Sequence, residues 1–189
     1  AMQEKLTDRK VAYALLAIAV VTCITLVLMR RVWWCEVGDY SPWSWDIWSS
    51  HNSQHLLDPY SLSHFQHGIG LLLLQFCCGR WLSVRTCTVI VALIEAAWEI
   101  VEKTSFMINR YREATISLDY FGDSIMNSMS DYGVCLLGVV LVRKTNWKLG
   151  LAVFVACEIG SVLWIRDSLM LNILMLTYPV EAIKLWQAP

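Results

Sequence analysis

The sequence predicts an all-α, polytopic transmembrane helix bundle of about six helices with an interfacial, tryptophan-rich outer loop, and three observations predict it. Hydrophobic residues make up 57% of the chain and charged residues only 16%, against roughly 45–50% and about 25% in soluble domains. Six runs approach the roughly 20 apolar residues that a helix needs to cross a bilayer core of about 30 Å. Tryptophan, whose ring prefers headgroup depth, crowds into one stretch between the first two runs.

The first run, 11–29, carries no charge and is followed by Arg30, Arg31, Val32, Trp33 and Trp34. Small residues suited to cleavage are missing there, so it reads as a retained anchor and not a signal peptide. Ala1 ahead of Met2 reads as an expression remnant. Residues 30–62 follow, with Trp33, Trp34, Trp43, Trp45 and Trp48 beside Glu36, Asp39, Asp46 and Asp58. They are expected to lie on the outer membrane surface, as a lid or as a plain interfacial anchor. The second and third runs, 63–78 and 86–101, are short or bear polar groups. A second outer segment, 102–122, holds Lys103, Asn109, Arg110, Tyr111, Arg112, Glu113 and Asp119. The remaining runs are 124–142, 149–165 and 169–185. Neither repeat nor linker divides the chain, which reads as one membrane domain over 1–189.

Lysine and arginine collect in cytoplasmic loops. Placing the N-terminus inside leaves Lys5, Arg9, Lys10, Arg80, Arg85, Arg143, Lys144, Lys148 and Lys184 inside, nine against six. Both termini are then cytoplasmic. A net charge of −1 offers no basic face, which excludes a nucleic-acid binder. Of seven cysteines only Cys35 lies clearly outside a run, and the odd count without spaced pairs excludes a disulfide framework or zinc finger. The other six read as packing residues.

Charges in the wrong solvent mark the candidate site. Glu95, Glu99 and Glu102, spaced four and three apart, share one narrow helical face. Asp123, Asn127 and Asp131 repeat at four. His64 and His67 open the second run, with His51, His55 and Asp58 upstream. All approach the same leaflet. A central ionised Asp costs about 2.5–3.5 kcal/mol to insert, so the five carboxyls must be protonated, paired, hydrated or bound to a cation. Topology offers the imidazoles and Arg110 or Arg112 as partners.

Two imidazoles three apart with facing carboxylates suit Zn, Mn or Fe, with His64, His67, Glu99 and Asp123 as candidate ligands. Hydrogen-bonded helix-entry histidines and metal-free acid–base groups are the other readings. Glu95, Glu102, Asn127 and His55 would support the core residues, and Arg110, Arg112 and Arg166 suit an anionic headgroup or ordinary phospholipid contact. Glu158 stands alone mid-run, and Glu181 with Lys184 reads as a local ion pair.

Three stretches, SSHNSQHLLDPYSLSHFQHG at 49–68, EAAWEIVEKTSFMINRYREATISLDYFGDSIMNSMSD at 95–131 and RDSLMLNILMLTYPVEAIKLWQ at 166–187, resemble the bacterial family of unknown function called DUF2585 or UPF0314. The resemblance covers roughly 45–187 and implies a multi-pass inner-membrane protein, without supplying an activity. Lys103 and Ser168 stand where the family pattern has asparagine.

The residues lead to the expectation of a membrane-embedded hydrolase or transferase acting on a lipid or lipid-linked substrate at the outer leaflet, with His64, His67, Glu99, Asp123 and Asp131 at its core. One rival is a small proton- or cation-coupled transporter, which needs a polar path continuing inward. Another is a non-catalytic assembly or binding protein, with the polar cluster as packing glue.

Overall fold

The computed structural model describes residues 7–115 and 120–188; Lys5 and Asp119, used above, lie outside them. Among the described residues the chain is all-helical: α1 (Asp8–Leu28), α2 (Ser61–Ile69), α3 (Leu71–Cys78), α4 (Val84–Glu102), α5 (Ser105–Ala114), α6 (Ile125–Lys144), α7 (Trp147–Ile165), α8 (Leu169–Thr177) and α9 (Glu181–Gln187). Three of these, α1, α6 and α7, are long and apolar enough to cross a membrane by length and composition. The surface fits a lipid solvent: Leu16, Val20 and Ile24 of α1 and Val155, Ile159 and Leu163 of α7 are exposed, while Glu95, Glu99 and Asp131 are buried.

Local chemistry sets the boundaries. Thr7, Ser83, Thr104, Ser124, Asn146 and Ser168 each accept a hydrogen bond from a first-turn N–H and begin α1, α4, α5, α6, α7 and α8. The run at 63–78 is divided at Gly70, whose N–H is shared between the Gln66 and His67 carbonyls. Helix α5 falls within a segment expected only as a connection, because a search for apolar runs passes over a helix this polar.

Ion pairs orient the bundle. Asp8, entering α1, accepts from Arg85 at the start of α4 at 2.8 and 3.0 Å, and from Arg143 at the end of α6 at 3.5 Å. Helices α1 and α4 therefore run parallel, and α6 runs against both. At the opposite face Arg31, just past α1, donates to the Phe121 carbonyl at 2.8 Å. Small residues bring the helices close. Ala92 and Ala96 of α4 pack with Tyr132 of α6 against Leu15, Ile18 and Ala19 of α1, and Gly68 of α2 lies directly on α6 at Cys135.

The sixth expected span does not run as one helix. Proline at 179 lacks an N–H and disfavours helix at the preceding residue, so α8 ends at Thr177 and α9 starts at Glu181. The pieces double back: Arg166, in the left-handed conformation at the end of α7, donates to the carbonyls of Trp186 at 3.3 Å and Ala188 at 2.9 Å. Lys184 donates to the Glu113 carbonyl at 2.6 Å instead of pairing with Glu181. The described chain end therefore lies beside the end of α7.

Candidate functional site

The glutamate stripe of α4 faces inward along its whole length, with Glu95 1%, Glu99 0% and Glu102 4% exposed. Helix α2 aims its two histidines at the first of them. His64 Nδ1 lies 2.6 Å from Glu95 Oε1, and His67 Nδ1 lies 2.7 Å from Glu95 Oε2. A carboxylate can only accept, so both imidazoles donate from Nδ1. Glu95, expected as a supporting residue, is thus the group that orients both rings. His64 Nε2 faces Asp131 Oδ2 at 3.8 Å, and the His64 side chain is 8% exposed; that of His67 is 25% exposed.

A second cluster centres on Lys103, one residue beyond α4. Its ammonium is fully buried and donates to Glu99 at 3.0 Å and to Glu102 and Asp123. Asp123, expected beside the imidazoles, belongs here, and Tyr120 donates to its second oxygen at 2.7 Å. Burial works to raise the Asp123 carboxyl, but the Lys103 ammonium together with hydrogen bonds from Glu102 and Tyr120 outweighs it and holds the group below the usual carboxylate range. Glu99 joins the two clusters: Oε2 meets Lys103, while Oε1 lies 3.2 Å from His64 Nδ1 without a hydrogen-bond partner among the described residues.

The loop before α2 closes the site. Asp58 accepts from the N–H of Tyr60 at 2.7 Å and Ser61 at 3.2 Å, and Ser61 donates to Asp131 at 3.0 Å. Asn127 donates to the His55 carbonyl at 2.8 Å and to Asp58 at 3.3 Å. His55 thus braces the site through its backbone while its ring points elsewhere. Burial, helped by the charge on Asp123, pushes the Asp58 carboxyl up to about 6.

The three arginines expected to hold an anionic headgroup are placed otherwise. Arg110 donates to the Leu176 carbonyl at 2.8 Å, Arg112 to that of Tyr120 at 2.6 Å and Arg166 to the chain end, and none of them lines the cavity. Their task is to hold backbone, and Lys103 is the cation that meets the carboxylates. The one signal in the sequence is spacing: Lys103 follows Glu99 by four, which by itself does not separate a buried partner from an interfacial lysine. Glu158 is also accounted for, accepting from Gln66 at 2.7 Å.

A cavity of about 670 Å³ lies against these clusters. His67, Glu95, Asp131 and Asp123 give it a polar floor, and Leu73, Ile94, Trp98, Phe154 and Ile173 line its apolar wall. Leu73 is 67% and Ile94 61% exposed, so the mouth opens sideways, toward the lipid-facing surface.

Sequence comparison decides the family. The family model described as protein of unknown function DUF2585 matches residues 26–189. The chain belongs to the DUF2585 family. Its relatives include a UPF0314 protein of Sinorhizobium fredii, 44% identical over 180 residues, covering 93% of this chain and 89% of that one. Others come from Rhizobium meliloti, 42% identical with 96% and 93% covered, and Paracoccus denitrificans, 38% identical with 96% and 95% covered. No solved structure matches this DUF2585 chain.

Proposed function

We propose that this DUF2585 protein is a membrane-embedded hydrolase or transferase acting on a lipid or lipid-linked substrate. The observation that carries the reading is the sideways-opening cavity, whose apolar wall leads to the imidazole–carboxylate pair His67–Glu95. An acyl chain fits against Leu73, Ile94 and Ile173 while its polar end meets the floor. His67 Nε2 takes the proton of water or of an acceptor hydroxyl. The freed oxygen attacks the ester carbonyl or phosphoryl centre, and the imidazolium returns the proton to the leaving alkoxide. Glu95 fixes the tautomer and stabilises the imidazolium, as a buried carboxylate does for a catalytic histidine.

A divalent cation fits the charge balance. Six buried carboxyls, Asp58, Glu95, Glu99, Glu102, Asp123 and Asp131, face one ammonium and two imidazoles. His64, Glu99 and Asp131 offer ligand atoms within 4.8 Å of one another, and Glu99 Oε1 is a buried carboxylate oxygen without a hydrogen bond among the described residues. Zn, Mn or Fe held there would polarise a carbonyl, phosphoryl or water oxygen.

The carrier reading is weaker because the half of the bundle away from the site is sealed by Leu71, Cys87, Val91, Cys135 and Val139. Five crossings, α1, α2 with α3, α4, α6 and α7, are consistent with the Asp8–Arg85–Arg143 cluster on one face and the Arg31–Phe121 contact on the other. The short turns carrying Arg80, Arg143, Lys144 and Lys148 support a cytoplasmic Asp8 end in the bacterial inner membrane, which opens the cavity to the outer leaflet.

The test is lipid mass spectrometry on cells lacking the protein and complemented with wild type, His67→Ala or Glu95→Gln. A species that accumulates in the deletion and the His67→Ala strain and is consumed with wild type is expected. Identical profiles in the deletion and wild-type strains would sink the enzyme reading.

A further inference from the structure

The loop between α1 and α2 carries a second group of metal-ligating side chains, apart from the cavity. Cys35 Sγ lies 3.3 Å from His51 Nδ1, and the same His51 Nδ1 lies 3.4 Å from His55 Nε2. The three atoms all fall within 4.8 Å of one another. Cys35 and His55 are buried, at 6% and 0% exposure, and the three positions span a stretch without helix.

Three ligand-type atoms converge here. His55 Nδ1 contacts the Ser41 carbonyl oxygen at 2.5 Å, and a carbonyl accepts only, so the proton is on Nδ1 and Nε2 presents a lone pair. His51 Nδ1 faces both the Cys35 sulfur and that lone pair, and the spacing suits a shared cation. Zinc binds imidazole nitrogen at about 2.0–2.1 Å and thiolate at about 2.3 Å in a tetrahedron, which sets nitrogens about 3.4 Å apart and sulfur about 3.6 Å from nitrogen. The two measured separations lie close to those edges.

The surroundings match those of a bound metal. The Ser41 carbonyl holds the His55 ring in the tautomer that a ligand needs, as backbone carbonyls do around zinc. Trp34 packs edge-on against His55, ring centroids 5.6 Å apart, and donates from its indole to the Asp39 carbonyl at 2.7 Å. The Asp39 carboxylate accepts from the Ser41 N–H through Oδ1 at 2.9 Å, and its Oδ2 lies 4.0 Å from His55 Nε2 with the side chain 47% exposed, where it or water can supply the fourth ligand.

We propose that Cys35, His51 and His55 hold a structural zinc ion, with Asp39 or water as the fourth ligand. The ion staples a long irregular loop whose only ladder contact among the described residues is the Trp43–Leu57 bridge. Order passes from the staple to the site through the His55 carbonyl, which accepts from Asn127.

Detergent-purified protein stripped with chelator and loaded with Co²⁺ gives the test, because a sulfur-to-cobalt charge-transfer band requires a thiolate ligand. We expect that band, its displacement by one equivalent of Zn²⁺ per chain, its loss in Cys35→Ser, and binding weakened on the order of tenfold or more in His51→Ala. His67→Ala and a Cys77→Ser, Cys78→Ser double variant keep it, which separates this site from the cavity. Absence of the band in wild type, or its survival in Cys35→Ser, overturns the proposal. Helical circular dichroism of Cys35→Ser and His51→Ala that matches wild type ties the lost band and the weakened binding to lost ligands, whereas Zn²⁺ binding unchanged in both folded variants overturns the site.

Discussion

Gly68 on α2 and Gly138 on α6 approach so closely that a methyl group on either would collide with the other helix's backbone, at the Cys135 and Phe65 carbonyls respectively. That contact sets the height at which Ser61 meets Asp131 and His64 meets the α4 stripe. Gly68→Ala and Gly138→Ala should each cost about 1–3 kcal/mol through forced separation, read as a lower melting temperature in detergent. Gly160 has open space where a side chain would project. Alanine there should be neutral or raise stability by about 0.5–1 kcal/mol.

The buried Lys103 ammonium is shared among three carboxyl groups, Glu99, Glu102 and Asp123. Lys103→Met should destabilise by about 3–5 kcal/mol, since it leaves buried charge uncompensated. Adding Asp123→Asn should recover part of the loss, and a double-mutant cycle on detergent unfolding measures that coupling. Additive effects would show that the ammonium and Asp123 do not interact.

Asp167, between α7 and α8, is pushed up to about 6 by burial, against the stabilising hydrogen bond from the Ser168 N–H. Its folded value exceeds the unfolded one near 3.9, so the folded state holds the extra proton between them. Stability should fall as pH rises from about 4 to about 6, by up to roughly 3 kcal/mol, and level off above. Thermal melts across that range check the slope, which Asp167→Asn should flatten.

Glu95 acts through the imidazoles it holds. Under the proposed reaction, Glu95→Gln should lower turnover roughly 10–100-fold, as loss of a ring-orienting partner does, and shift the acidic limb of the pH–rate profile with little change in KM. A larger rise in KM than fall in kcat would assign Glu95 to substrate binding.

The site was largely legible because its signals are periodic. Glu95, Glu99 and Glu102 fall on one helical face by spacing alone, and His64 and His67 sit three apart on another. The role of Lys103 was hidden because a lysine at a helix end reads as interfacial until the segment carrying Tyr120 and Asp123 is known to fold over it. Arginines at 110, 112 and 166 suit headgroups and backbone carbonyls equally, and only tertiary structure decides. The last span failed for a local reason: hydropathy averages across Pro179, whereas the backbone stops there. The zinc ligands follow no familiar spacing, since Cys35, His51 and His55 come together through an irregular loop.

The bonds from Arg166 to the Trp186 and Ala188 carbonyls close α8 and α9 into a clasp whose two ends meet. The same clasp carries Leu169, Asn172, Ile173 and Leu176, which line the cavity. Whatever loosens it therefore loosens one whole wall of the cavity, so the grip of a single guanidinium on two carbonyls governs the width of a chamber that it does not touch.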